Sequence, residues 1–160
     1  MADLDAALIE REFHGVGEIR EGEAAVDLGQ APGDVVALSG TLGAGKTSIA
    51  RLLAAEVGLR YAAISAVFSG VADLKKVFAE ARDHARLGQR TLLFVDEIHR
   101  FNRAQQDGFL PYVEQGVVTL VGATTENPSF ALNAALLSRA QVLILHRLSP
   151  EALGHLLARA

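Results

Sequence analysis

The segment GTLGAGKT, Gly40 to Thr47, joins an apolar run, DVVALS (34–39), to a run of helical period, TSIARLLAAEV (47–57). It fits the pattern G-x-x-x-x-G-K-[ST], and a strand before it with a helix after it is the context that gives the pattern meaning. With Gly at about 7% of ordinary usage, and roughly 6% Lys and 12% Ser plus Thr, a chain this long meets the pattern by accident about once in two hundred. Glycines let successive backbone N–H groups turn inward toward phosphate oxygens, and the helix N-terminus adds its dipole. Lys46 supplies a point charge to the β- and γ-phosphates and Thr47 a hydroxyl for Mg²⁺. The expected nucleotide-binding residues are therefore Gly40, Thr41, Leu42, Gly43, Ala44, Gly45, Lys46, Thr47 and Ser48. ATP and Mg²⁺ are the ligands such a loop implies.

A loop of this kind belongs to a parallel sheet, and the rest of the chain agrees. Short apolar runs alternate with helical segments, the pattern of strands joined by crossover helices. Five strands are expected: 34–39, YAAISA (61–66), TLLFVD (91–96), VVTLVGAT (117–124) and QVLILHRL (141–148). All but the second are rich in Val and Leu on both faces, as strands covered on both sides should be. VADLKKVFAEARDHARL (71–87) reads as a helix with Val71, Leu74, Phe78, Ala81 and Ala85 along one stripe. A shorter helix is expected over 102–114, bent or shortened at Pro111. In SPEALGHLLARA, Ser149 reads as an N-cap with Pro150 at the first helical position and Glu151 in the first turn. Residues 1–32 are acidic and weakly patterned, so the division is an N-terminal segment of uncertain structure, 1–32, and a P-loop core of α/β class, 33–160.

The third strand ends on two adjacent carboxylates, Asp96 and Glu97. Downstream of a phosphate loop, this pair has a division of labour. Asp96 at the strand end holds Mg²⁺ through a coordinated water, and Glu97, one residue further, reaches the water that attacks the γ-phosphate. Neither carboxylate is expected to be fully buried unpaired, because removing an ion from water costs several kcal/mol. His99 and Arg100, which follow, could each touch a neighbour or DNA, but a plain loop role is the reading favoured for both.

Composition excludes some alternatives. A net charge of −4 argues against a surface that neutralises many phosphates along a nucleic acid, although a local basic patch survives such an average. With no cysteine, disulfides and thiolate metal sites are ruled out. The first thirty residues lack a signal-peptide layout, and no apolar run approaches the ~18 residues of a membrane span. A cytoplasmic protein with no membrane partner is expected.

The stretches ISAVFSGVADLKKVF, LLFVDEIHRFNRAQQDGFLPYVE and LVGATTENPSFALNAALLSRAQV resemble the replication-associated recombination protein A family (RarA, also called MgsA), AAA+ ATPases related to clamp loaders and to the Holliday-junction motor RuvB. The resemblance covers about residues 63–160. It implies a homo-oligomeric ATPase that works with replication proteins on single-stranded or forked DNA. It also implies that Thr125 is the sensor-1 residue and Arg139 the arginine finger that acts on a neighbouring subunit. Read as residues alone, Thr125 is a strand-end cap and Arg139 an exposed charge. Family members usually carry G-P-P-G-x-G-K-T at the phosphate loop, whereas APGDVVALSGTLGAGKT is similar to TsaE, the ATPase of tRNA threonylcarbamoyladenosine formation, over about 24–58. TsaE's Ser-Pro-Thr segment and its own acidic motif have no counterpart in this sequence. Nor do the RarA family's lid, with its sensor-2 arginine, and its oligomerisation region before Ala160, so a core without a lid is expected. Three functions follow: a RarA-type ATPase in fork maintenance, recombination and repair; a TsaE-like ATPase of tRNA modification; or a non-catalytic nucleotide-binding assembly module. DNA-stimulated turnover, affinity for tRNA-modification proteins, and binding without turnover distinguish them.

Overall fold

A computed structural model of the chain describes residues 11–13, 35–145, 150 and 158. Its strands are β1 (Arg11–Phe13), β2 (Val35–Gly40), β3 (Arg60–Ser65), β4 (Thr91–Asp96), β5 (Val118–Thr124) and β6 (Ala140–Leu145). They form one sheet in the order β1-β6-β2-β5-β4-β3, with β2 to β6 mutually parallel and β1 antiparallel to β6. The five parallel strands are those expected from sequence, displaced by a residue or so at their ends, and residues 146–148 of the expected fifth lie outside the described residues. The helix expected over 149–160 also lies there, apart from the helical Pro150 and Ala158.

Alternation along the strands builds two apolar layers, because successive side chains leave opposite faces of the pleat. Val36 and Leu38 of β2, Leu92 and Phe94 of β4 and Val121 and Ala123 of β5 meet Ala50 and Ala54 of α1 (Lys46–Glu56) on one face. On the other, Val35, Ala37, Leu93, Val95 and Leu120 meet α2 (Val71–Arg86) and the segment from Ile98 to Leu136. The small residues on α1 allow that helix to lie close to the sheet, which holds its N-terminus against the end of β2. In α2 the buried stripe is Leu74, Phe78 and Ala81; Val71, expected in it, sits in the first turn and is 55% exposed.

The helix expected over 102–114 is two: α3 (Arg103–Asp107) and α4 (Leu110–Glu114). Asn102 caps the first in a capping box with Gln105, whose side chain accepts from the Asn102 N–H. The break falls at Gly108 and Phe109, just before Pro111, which has no N–H to continue the ladder. Phe109 is fully buried at that break and stacks edge-on against Phe78, so the chain turns to follow the core. Two short helices not expected from sequence, α5 (Pro128–Ala131) and α6 (Ala134–Leu137), are capped by Asn127 and Asn133. Four-residue helices carry too little periodicity to be read. Among the described residues, no helix is long and apolar enough to cross a membrane.

Candidate nucleotide site

The parallel order places the ends of β2, β5 and β4 side by side at one edge of the sheet. Ser39 of β2 pairs in register with Thr124 of β5, and Val95 of β4 with Gly122. The loop after β2 and the carboxylates after β4 thus stand two strand spacings apart, about 9–10 Å, with the end of β5 between them. Outside the carboxyl ends of such strands is where open α/β sheets bind ligands.

At the loop, Gly43 and Gly45 both have φ of 82°, a left-handed conformation that a side chain would strain. Gly45 is also the N-cap of α1 and offers no side chain, so the first helical N–H groups lack an internal partner. Gly40 is required for another reason: a Cβ there would run into the carbonyl oxygen of Leu145 on the neighbouring strand. Lys46 is buried, and its Nζ donates to the carbonyl oxygens of Gly40 at 2.6 Å and Thr41 at 3.0 Å. The ammonium is therefore held over the cradle by the loop itself. Thr47 and Ser48 are exposed in the first turn of α1, beside Lys46 and free to face the cradle's mouth.

Asp96 and Glu97 are each partly buried, as expected of a working carboxylate pair. Asp96 closes β4 in extended backbone and accepts the Glu97 N–H at Oδ1, 3.1 Å. Glu97 has φ 52° and ψ 47°, left-handed, and among the described residues it is the one non-glycine with positive φ. That conformation costs on the order of 1–3 kcal/mol and persists where surroundings over-determine it. Its effect is to turn the second carboxylate out of the strand direction, so that two adjacent acids serve different points. Arg100 N–H donates back to the Glu97 carbonyl at 2.9 Å, closing a short 3-10 turn, Ile98–Arg100. Fully buried Ile98 anchors the turn, packing against Gly122 of β5.

Thr125, one residue past β5, is exposed and donates its hydroxyl to Glu97 Oε2 at 3.4 Å. The expected sensor residue and the expected base are thus in contact. His99 corrects the reading of it as a plain loop residue: its Nε2 lies 3.2 Å from Glu97 Oε2 and its Nδ1 2.8 Å from Thr124 Oγ1. Sequence reasoning missed both His99 and Thr124, since nothing in the order of residues shows that the 3-10 turn swings the ring back over the end of β5. Arg139 is not brought to this edge. It precedes β6, whose first residue Ala140 pairs with Val35 at the start of β2, so a strand length of roughly 17 Å separates it from its own phosphate loop. There it pairs with Glu114 at 2.6 Å and donates to the Ala135 carbonyl at 3.1 Å.

The residues that could hold a divalent cation are Thr47 and Asp96, one hydroxyl and one carboxylate. No group of three or more His, Cys, Asp or Glu gathers among the described residues. That sparse set fits Mg²⁺, which keeps several waters and is bound through one or two carboxylates together with substrate phosphates.

Comparison with known proteins supplies the family. Residues 36–148 match the ATPase family associated with various cellular activities, AAA. The chain is 50% identical over 123 residues to the replication-associated recombination protein A of Escherichia coli and 52% identical over 123 residues to that of Coxiella burnetii. Each match takes 77% of this chain and 28% of the relative, so the chain spans little more than a quarter of these relatives' length. A stretch of 123 residues within 160 necessarily includes the phosphate loop, so the TsaE-like reading of the front of the chain is not supported. Among solved structures, a mutant of Thermotoga maritima RuvB superposes with a TM-score of 0.62 at 29% identity, covering 79% of this chain and 43% of that one. A second structure, the RuvB Holliday-junction branch migration motor of the same organism, gives 0.53 at 31% identity, over 71% and 37%. With its parallel sheet, its phosphate loop and its strand-end carboxylates, the chain belongs to the AAA family of ATPases.

Proposed function

We propose that the chain is the nucleotide-hydrolysing core of a RarA-type protein, 33–160, that acts on DNA in replication-fork maintenance, recombination and repair. The observation that carries the catalytic part is the left-handed Glu97, whose carboxylate is turned away from Asp96 and into contact with Thr125. The work on DNA and with replication proteins rests on the similarity to proteins named for replication-associated recombination.

In this reading the backbone N–H groups of Gly40 to Thr47 and the start of α1 receive the ATP phosphates, with Ser48 at the rim. Lys46 leaves the Gly40 and Thr41 carbonyls for the β- and γ-phosphate oxygens, a short movement that exchanges neutral acceptors for charged ones. Thr47 and Asp96 are the residues that would hold Mg²⁺. When bound, that ion neutralises charge building on the phosphate oxygens. Glu97 accepts a proton from the attacking water as its oxygen bonds the γ-phosphorus and the bond to ADP breaks. Thr125 holds Glu97, or the same water, in line. Arg139 stands a strand length from its own loop, and on the family resemblance we assign it to a neighbouring protomer's nucleotide, in a homo-oligomer in which hydrolysis needs assembly.

The test is ATP turnover with and without single-stranded and forked DNA. Mg²⁺-dependent turnover that rises with forked DNA is expected. Nucleotide binding without turnover under any of these conditions contradicts the reading and favours an assembly module.

A further inference from the structure

The His99 ring is 11% exposed and reaches oxygens on three residues: Glu97 Oε2 at 3.2 Å, Glu126 Oε1 at 3.8 Å and Thr124 Oγ1 at 2.8 Å. We propose that His99, anchored by Thr124, is the positioning residue that fixes the Glu97 carboxylate for attack on the γ-phosphate. This rests on Glu97 being the base.

The hydrogen bonds determine how the ring is protonated when neutral. Thr124 is fully buried, and its Oγ1 already accepts the Glu126 N–H at 3.0 Å. The hydroxyl keeps its proton and a second lone pair, so the direction of its bond to Nδ1 follows from which ring nitrogen carries the proton. Nε2, which faces ionised carboxylate oxygens that can only accept, carries the ring proton. A chain of donors runs from the Glu126 backbone N–H through the Thr124 hydroxyl and the imidazole to Glu97. The Glu126 carbonyl in turn accepts from Ser39 Oγ at 3.1 Å, at the end of β2. The carboxylate is thus tied through His99 to the ends of β5 and β2 rather than to its own strained turn alone.

Both donors, His99 Nε2 and Thr125 Oγ1, meet the same oxygen, Oε2. That leaves Oε1 to take the water's proton. Thr125 is exposed and its contact is long, so it does not hold the carboxylate alone; the ring, locked from below by a buried hydroxyl, does.

The experiment compares His99→Ala, His99→Gln and His99→Asn in the full chain, measuring kcat and KM for ATP, the melting temperature and the ¹⁵N signals of the neutral ring. His99→Ala should lower kcat roughly 10- to 100-fold, as loss of alignment does, with KM for ATP and melting temperature nearly unchanged. His99→Gln, whose amide nitrogen reaches the place of Nε2, should recover part of the loss, and the shorter Asn should not. In the parental protein the ring signals should show the proton on Nε2. Parental kcat in His99→Ala, equal impairment in Gln and Asn, or a proton on Nδ1 overturns the proposal. If the alanine variant does not fold, the Gln–Asn comparison and the ring signals decide. Glu97→Gln is the control: parental turnover there removes the base assignment, whereas its loss beside an active His99→Ala removes His99 alone.

Discussion

The guanidinium of Arg139 lies 2.6 Å from Oε1 of Glu114, with both side chains part-exposed, at the end of the sheet opposite the phosphate loop. An ion pair of that kind contributes about 0.2–1 kcal/mol, so it stores the arginine without committing it. A neighbouring subunit's phosphates, doubly charged and matched to the guanidinium fork, are a stronger partner than one exposed carboxylate.

Arg139→Ala should therefore leave ATP affinity nearly unchanged and lower turnover by about 10³-fold or more, the scale of an arginine finger. Mixing it with Lys46→Ala subunits should restore part of the rate, because such mixtures contain interfaces that join a working loop to an intact finger. Turnover per protomer should rise with protein concentration. A flat rate across that range would show that the interface does not form.

Lys46→Ala removes the cation over the cradle along with its bonds to the Gly40 and Thr41 carbonyls. Calorimetry should find ATP binding reduced by at least about 100-fold, two charge-assisted contacts at roughly 1.5–3 kcal/mol each being lost. Unchanged affinity would remove the phosphate-loop assignment.

Gly122→Ala tests the support beneath the base. A Cβ at Gly122 would come within 2.8 Å of Ile98 Cδ1, directly after Glu97. Overpacking of this kind costs about 1–3 kcal/mol, read as a lowered melting temperature. Because Ile98 anchors the 3-10 turn, turnover should fall further than ATP binding does.

Gln106→Leu tests the link between the segment after the 3-10 turn and the α5–α6 segment. Its buried amide donates to the carbonyls of Phe101 at 3.1 Å and Ala131 at 2.9 Å and accepts from Asn133 N–H at 2.7 Å. Asn133 in turn caps α6, which leads to Arg139. Leucine leaves these groups unpaired, at about 1–3 kcal/mol for each buried group that finds no water, and chemical denaturation should register the loss.

The parts of the site legible in sequence are those whose chemistry is set by contiguous residues. Gly40 to Thr47 is such a run, and so is Asp96–Glu97 at the end of an apolar strand. The five parallel strands were legible too, four of them because burial on both faces gives Val- and Leu-rich runs. What was not legible depends on three-dimensional return. His99 reaches Glu97 because a left-handed residue reverses the chain, and no pattern of residue types announces φ of 52° at a glutamate. The contact of Thr124 with that ring spans 25 positions. Gln106, polar within a short helix, reads as a surface residue until the carbonyls that surround it are seen. The exposure of Val71 was missed for the converse reason: it has the spacing of the core stripe but lies in the helix's exposed first turn.

If Glu97 rather than Asp96 activates the water, replacing it by the nearly isosteric amide separates binding from turnover. ATP and Mg²⁺ binding by Glu97→Gln should match the parental protein in calorimetry, while ATP turnover under the same conditions falls by about 10²- to 10⁴-fold, the usual contribution of a general base. A Glu97→Gln protein that binds ATP and hydrolyses it at the parental rate would contradict the account.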